Sequence, residues 1–254
     1  MSELIIKGLS GMPLVKPGDD LVDLLAYAID NNSVRLRDED VLVIAQKIVS
    51  KAESRYVDLS DVTPGGEAIR LAAEVEKDPR LVEIILSESH SVLRHRPGLL
   101  IVRHRLGFVM ANAGVDRSNL DETVGAERVL LLPADPEATA WRIHSALAKR
   151  FGVRFGVIIN DSAGRPWRNG IVGIALGVAG LPAVRDMCGR QDLSGRTLQV
   201  TFTGFADGIA AAAGLAMGEA NEGIPVVHVR GVHWPDTEQA PTGLLREPEL
   251  DLFL

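Results

Sequence analysis

Residues able to do chemistry gather at a few short places in this chain. The stretch "VIINDSAGRPWRNG", Val157 to Gly170, starts as a β-branched apolar run, breaks at Asn160-Asp161-Ser162, and then places Arg165, Trp167 and Arg168 among glycines. An apolar strand ends on an acid and a hydroxyl when its last residues face a ligand. The two guanidinium groups suit a small anion such as a phosphate or carboxylate, which they grip bidentately, or an ion pair within the fold. In "DVLVIAQKIVSKAESR" a buried-strand pattern turns polar at Gln46, with Lys47 and Lys51 following. "NAGVDRSN" holds Asp116 and Asn119 in a stretch dense in Asn, Asp, Gly and Ser, which by itself reads equally as a plain turn. "MGEANEGIP" and "GMPLVKPGDDL" are two further polar loops. The six histidines show no paired spacing, so a metal would have to rely on carboxylates.

The elements that must position these residues alternate along the chain. "ELIIKGL" reads as a strand, and "DDLVDLLAYAIDNN" carries apolar residues at helical spacing behind an acidic cap. Gly65 to Arg94 is rich in Ala, Leu, Glu and Lys and predicts one or two surface helices. "GLLIVRHRLGFVMANAGVD" predicts two short strands around a Leu106-Gly107 turn. "ADPEATAWRIHSALAKRFG" has every mark of a helix: Asp135 as cap, Pro136 in the first turn, Lys149 and Arg150 near the end, Gly152 as terminator. It feeds into the strand of "VRFGVIIND". "GIVGIALGVAG" matches neither the dinucleotide nor the P-loop glycine pattern and reads as a close-packed strand or helix rather than a phosphate loop. "RTLQVTFTGF" predicts a strand, "ADGIAAAAGLAMGEA" a small-residue helix and "GIPVVHVRG" a last strand. The mixture assigns the α/β class, with mixed α+β the variant. Residues 1–233 form the expected catalytic unit, with room for two subdomains. From Trp234 to Leu254 three prolines and no steady period predict a tail that packs over the surface or meets a partner chain.

With 254 residues, 46% hydrophobic and 24% charged, the chain can bury a sizeable core without disulfides or a structural metal. No apolar run approaches the roughly 20 residues of a membrane span, and the N-terminus lacks the pattern of a signal peptide. A cytoplasmic protein with no membrane partner is expected. Cys188 is the only cysteine, which excludes an internal disulfide and thiolate zinc clusters and leaves it as a packed side chain or a reactive thiol. The net charge of −7, with no long basic run, argues against nucleic acid.

Taken in order, "GMPLVKPGDDL", "QKIVSKAE", "NAGVDRSN", "NDSAGRPWRNG" and "MGEANEGIP" resemble the coenzyme F(420)-0:L-glutamate ligase family, GTP-dependent enzymes that add glutamate to a deazaflavin coenzyme. Each string alone is unspecific; it is the ordered set that carries the resemblance, from about Ile5 to Gly231. The chain resembles the stand-alone form, ending where a nitroreductase-like second domain would begin. The resemblance implies a divalent cation, Mg²⁺ or Mn²⁺, held by Asp116, by Asp161 with Ser162, and by Glu219. It implies nucleotide contacts from Met12, Pro13, Leu14 and Val15, from Gln46 and Lys51, from Asn119, and from the loop of Met217, Gly218, Glu219, Ala220, Asn221, Glu222, Gly223 and Ile224. Lys51, Asp116 and Asp161 would be the catalytic residues, acting electrostatically on GTP as co-substrate. The implied partners are small molecules, the deazaflavin precursor, L-glutamate and GTP, and the implied assembly is a homodimer. An amide ligase of the same family acting on another acid and amine, and a non-catalytic nucleotide-binding protein, are the alternatives. Three positions depart from many relatives: Asn160-Asp161-Ser162 replaces Thr-Asp-Thr, Gln46 stands where Ser or Thr is common, and Gly208 follows Asp207 where relatives often carry Glu.

Overall fold

The computed structural model describes residues 3–117, 127–235 and 243–251. The chain opens with β1 (Ile5–Gly8) and α1 (Leu21–Asn31), then β2 (Val41–Ala45) runs directly into α2 (Gln46–Ala52) and on to β3 (Tyr56–Asp58). Two helices, α3 (Gly66–Val75) and α4 (Pro79–Ser87), precede the strands β4 (Ser89–Arg96), β5 (Leu99–His104), β6 (Val109–Ala111) and β7 (Arg128–Leu130). Helix α5 (Pro136–Phe151) leads into a long hairpin of β8 (Gly156–Arg165) and β9 (Arg168–Ala179). Short strands β10 (Val184–Asp186) and β11 (Phe202–Gly204), helix α6 (Phe205–Met217) and β12 (Val226–Arg230) complete it.

Five strands form the main sheet in the order β1-β12-β2-β8-β9, with β2 and β8 parallel and the other neighbours antiparallel. Side chains along a strand alternate between faces, and both faces of this sheet are covered. Leu42, Ile44, Val157 and Ile159 pack against α1, α2 and α5, while Val41, Val43 and Ile158 face α6 on the other side. The glycines of β9 explain how close those helices lie. A Cβ on Gly173 would stand 2.4 Å from the Ala210 carbonyl of α6, and one on Gly177 would stand 2.3 Å from that of Pro136 at the start of α5. The glycine-rich stretch is therefore a close-packed strand.

Beside this layer, α3 and α4 pack on the three-stranded sheet β4-β5-β6 around Leu71, Val75, Val82, Ile85, Leu100 and Val102. The β3–β7 pair bridges the two parts. Asp20 and Asp135 cap α1 and α5 with their carboxylates, and Gly152 ends α5 in the left-handed conformation, as the sequence predicts. Three expectations shift. The second surface helix ends at Ser87, and "SHSVLRHR" pairs with β5 instead. Of "RTLQVTFTGF" only Phe202–Gly204 is strand. Strand β8 does not end at Asn160; it runs on to Arg165 because β9 supplies a partner along its whole length. Trp234 is buried against Phe205, and Leu244 packs on the same cluster.

A buried ion cluster ties β12 to β2. Asp40 is 1% exposed and accepts from Arg230 at 2.8 and 2.6 Å and from the Arg37 backbone N–H at 2.8 Å, with His228 Nε2 2.9 Å away. Burial raises its pKa, but Arg230, His228 and the Arg37 amide outweigh burial and hold it at about 2. A buried carboxylate whose guanidinium partner would be stranded without it is costly to remove. Asp40→Ala should therefore lose about 3 to 5 kcal/mol at pH 7, read by urea denaturation. Because the folded pKa is depressed, the contribution of Asp40 is present above about pH 4 and is lost as pH falls through 2. The difference between wild type and variant should narrow over that interval.

Candidate active site

Strands β2 and β8 run side by side until Ala45 pairs with Asn160. There β2 turns into α2, and the next residue of β8, Asp161, emerges beyond the end of its neighbour. A shift in the pairing with β9 between Ile159 and Asn160 falls at the same place. Asp161 is enclosed by protein yet reachable from a cleft. Burial raises its pKa and the Asp116 carboxylate raises it further; the Ser162 amide, Gln46 and Lys47 act against them, and the result is about 6. Gln46 is itself buried, with its Oε1 accepting from Ser50 Oγ at 2.9 Å. That bond turns the Gln46 amide group toward Asp161. Gln46 in turn hydrogen-bonds the Asp161 carboxylate and helps to fix it.

Asp116 reaches the same cleft from the other part of the fold. The turn at Asn112–Gly114 has left-handed backbone at Ala113 and Gly114, and a Cβ on Gly114 would press into Leu132 at 2.8 Å. Asn112 Oδ1 accepts from the Leu100 amide at 3.2 Å. Asp116 then exchanges both backbone hydrogen bonds with Leu130, at 2.9 and 2.8 Å. The "NAGVD" segment is thus a built turn that also forms a cleft wall. The Asp116 carboxylate lies 2.6 Å from Lys47 Nζ on α2. Helix α2 is anchored at its far end by Glu53, which accepts from Thr139 Oγ1 at 2.6 Å and from the Ala134 amide at 3.0 Å.

The cleft encloses about 620 Å³, within the range of small-molecule sites. Its walls are residues 12–15, 45–48 with Lys51, 114–116, 160–162, Gly214 and 217–225. Most of the residues singled out from sequence therefore share one cavity. Ser162 Oγ donates to both Glu219 oxygens, at 2.8 and 2.9 Å. Glu222 curls the loop after α6 by accepting from the Ala220 amide at 2.9 Å, and it occupies the space a side chain on Gly218 would need. Val15 is buried while Leu14 is 86% exposed, so the first loop is anchored on one side and open on the other.

Arg165 and Arg168 do not line the cleft; they face each other at the far end of the β8–β9 hairpin, around an exposed Trp167. Asn119 lies outside the described residues. Among the wall residues with polar side chains, Lys47 and Asn160 escaped the sequence-based assignment. Lys47 stands four positions before Lys51, and that spacing puts both on one helix face, a signal that was available. Asn160 is 4% exposed, with its amide 3.6 Å from Met217 Sδ.

Every charged or hydroxyl donor from Asp116, Asp161, Ser162 and Glu219 is an oxygen, the donor type of a hard cation. Among the described residues no three His, Cys, Asp or Glu side chains converge to cage a metal by themselves. An ionised Asp161 beside Asp116 costs stability in the metal-free protein. Because its folded pKa is raised, stability relative to an amide falls as pH rises from about 4 through 6. Asp161→Asn should then be more stable than wild type by about 3 kcal/mol at pH 8 without metal. The gain should fade below pH 4 in thermal melts across pH.

A sequence profile of the family described as F420-0:Gamma-glutamyl ligase matches residues 11–231. The Methanothermobacter thermautotrophicus protein named Coenzyme F420:L-glutamate ligase is 44% identical over 248 residues, 97% of each chain. Proteins of the same name from Methanopyrus kandleri and Archaeoglobus fulgidus are 42% and 43% identical, covering 94% and 88% of this chain and 93% and 86% of their own. With a profile match across both parts of the fold and relatives aligned over nearly its whole length, this chain belongs to the F420-0:gamma-glutamyl ligase family.

Proposed function

We propose that this protein is a GTP-dependent ligase that joins L-glutamate to the deazaflavin coenzyme F(420)-0. The observation that carries the proposal is the single cleft in which residues 12–15, Gln46, Lys51, Asp116, Asp161, Ser162 and 217–224 meet. The names of the relatives support the substrates, and the oxygen-rich floor supports a nucleotide with its cation.

Forming an amide from a carboxylate in water is uphill, so the acid must first be activated. An oxygen of the acceptor carboxylate attacks the γ-phosphorus of GTP, the bond to the β-phosphate oxygen breaks, and GDP leaves. The amine of glutamate then attacks the acyl carbon, the carbon–oxygen bond to phosphate breaks, and the amine gives up a proton. Transfer of this kind depends mainly on alignment and on neutralising phosphate charge. Lys51 supplies a fixed positive charge on the cleft wall. Asp116, Asp161, Ser162 and Glu219 would hold Mg²⁺ or Mn²⁺, and a bound cation would neutralise charge across the phosphates. Gln46 keeps Asp161 in position, and the glycine-containing loop 217–224 brings backbone close to the nucleotide.

Incubation with GTP, Mg²⁺ or Mn²⁺, glutamate and the acceptor should give a product heavier by one or more glutamyl units. Lys51→Ala and Asp116→Asn should each lower kcat about 10² to 10³-fold, with folding retained by circular dichroism. GTP cleavage should require the acceptor acid. With ¹⁸O in the acceptor carboxylate, one labelled oxygen should appear in released phosphate; amide formation without label in phosphate would exclude the acyl phosphate. Turnover with a different acid or amine only would assign another ligation, and nucleotide binding without turnover a regulatory protein.

The same proposal includes a homodimer. Leu193, Val200, Phe202 and Leu215 are all more than half exposed, apolar side chains that a second copy could cover. Light scattering at micromolar concentration should give about twice the chain mass; a monomer would contradict it.

A further inference from the structure

One charge contact in the cleft joins a proposed cation ligand to a lysine. Lys47 Nζ stands 2.6 Å from Asp116 Oδ2, with both side chains only about a quarter exposed, at 27% and 26%. Lys47 also favours the ionised form of Asp161, the sense opposite to Asp116. On Asp116 it is a positive charge already in place at a carboxylate that faces the cleft.

A divalent cation bound directly to a carboxylate oxygen stands about 2.1 Å from it. Were it to join Lys47 on Asp116, the ammonium group and the cation would share one carboxylate at a few ångströms' separation. Repulsion at that range is strong in a partly enclosed site. The cation and the ammonium group therefore compete for Asp116. Lys47 sits on α2 one turn before Lys51, on the same helix face and on the same cleft wall. A polyanion in the cleft offers the ammonium group another partner and the cation further oxygens.

We propose that Lys47 is a built-in counter-ion that holds the place of the divalent cation on Asp116, and so makes cation binding conditional on a phosphate-bearing ligand. The inference rests on the reading of Asp116 and Asp161 as cation ligands. Without a polyphosphate Lys47 keeps the Asp116 carboxylate neutralised and weakens the binding of a lone cation. When a polyphosphate enters, Lys47 shifts from Asp116 toward it and the cation takes the vacated oxygen. Coupling between two ligands is reciprocal, so the cation also tightens the polyphosphate. Lys47 is a positioning residue in this scheme, acting through Asp116.

The test is binding of Mn²⁺ to the full-length protein, followed by the electron paramagnetic resonance signal of free Mn²⁺, alone and with GDP. Wild type should bind Mn²⁺ alone at least about tenfold more weakly than with GDP. Lys47→Gln should bind Mn²⁺ alone at least about tenfold more tightly than wild type, a difference expected from removing one unit charge a few ångströms from a dication. The advantage given by GDP should shrink accordingly. Lys47→Arg, which keeps the charge, should resemble wild type. Equal or weaker Mn²⁺ binding by folded Lys47→Gln, checked by thermal melting, would overturn the inference while leaving the cation site intact. Mn²⁺ binding with GDP that is indifferent to both Asp116→Asn and Asp161→Asn would instead overturn the cation site and the counter-ion role with it.

Discussion

The parallel pairing of β2 with β8 is the constraint on which the site depends. Parallel strands bring their C-terminal ends to the same edge of the sheet, and in open α/β sheets ligands settle outside those ends. Here β2 finishes at Ala45 and passes at once into α2, so Gln46 and Lys47 start a helix beside Asn160 and Asp161. The antiparallel neighbours flank this pair: β12 is preceded by the loop after α6, which brings Glu219 to Ser162. One register error between β2 and β8 would turn Asp161 to the opposite face of the sheet. The apolar residues that alternate across the sheet, Leu42 and Ile44 toward one set of helices, Val41 and Val43 toward the other, keep that register.

The second contribution, Asp116, comes from a separate layer, and its placement is mechanical. A left-handed turn at Ala113-Gly114, the paired backbone bonds to Leu130 and the β3–β7 bridge deliver a carboxylate to the cleft from the far side. The bridge also carries charge. Glu88 at the end of α4 is buried and meets Arg55 at 3.0 Å and Arg105 at 3.1 Å, while Arg55 Nε donates to the Leu132 carbonyl at 2.9 Å. Arg55 follows α2 closely, so the layer holding Asp116 is fastened next to the helix holding Lys47 and Lys51. Opposed walls held by buried, hydrogen-bonded charge keep the cleft's shape before any ligand arrives.

Function is set against stability at the floor of this cleft. Burial, with the Asp116 carboxylate adding to it, pushes the Asp161 pKa up to about 6, whereas Asp40, surrounded by Arg230, His228 and an amide, lies near 2. The same residue type thus serves two ends. Asp40 is a structural anion with its partners built in. Asp161 is only partly compensated by the Ser162 amide, Gln46 and Lys47, the kind of perturbed group that marks a functional site.

Much of this was legible from sequence because it is local. The caps of α1 and α5, the strand of "VRFGVIIND" and the glycine-bearing loops follow from neighbours in the chain, and the ordered polar strings named the cleft residues and the family. What tertiary structure alone decided is long-range. Strand β8 runs past Asn160 because β9 pairs with it, "SHSVLRHR" becomes a strand because β5 lies alongside, and Arg165 and Arg168 leave the cleft because the hairpin carries them away. The pairing of Lys47 with Asp116 joins residues 69 positions apart, from α2 and from a turn in another layer. Spacing along a chain determines which side chains share a helix face or a strand face; which faces meet depends on where the hydrophobic layers pack, and so on the whole fold.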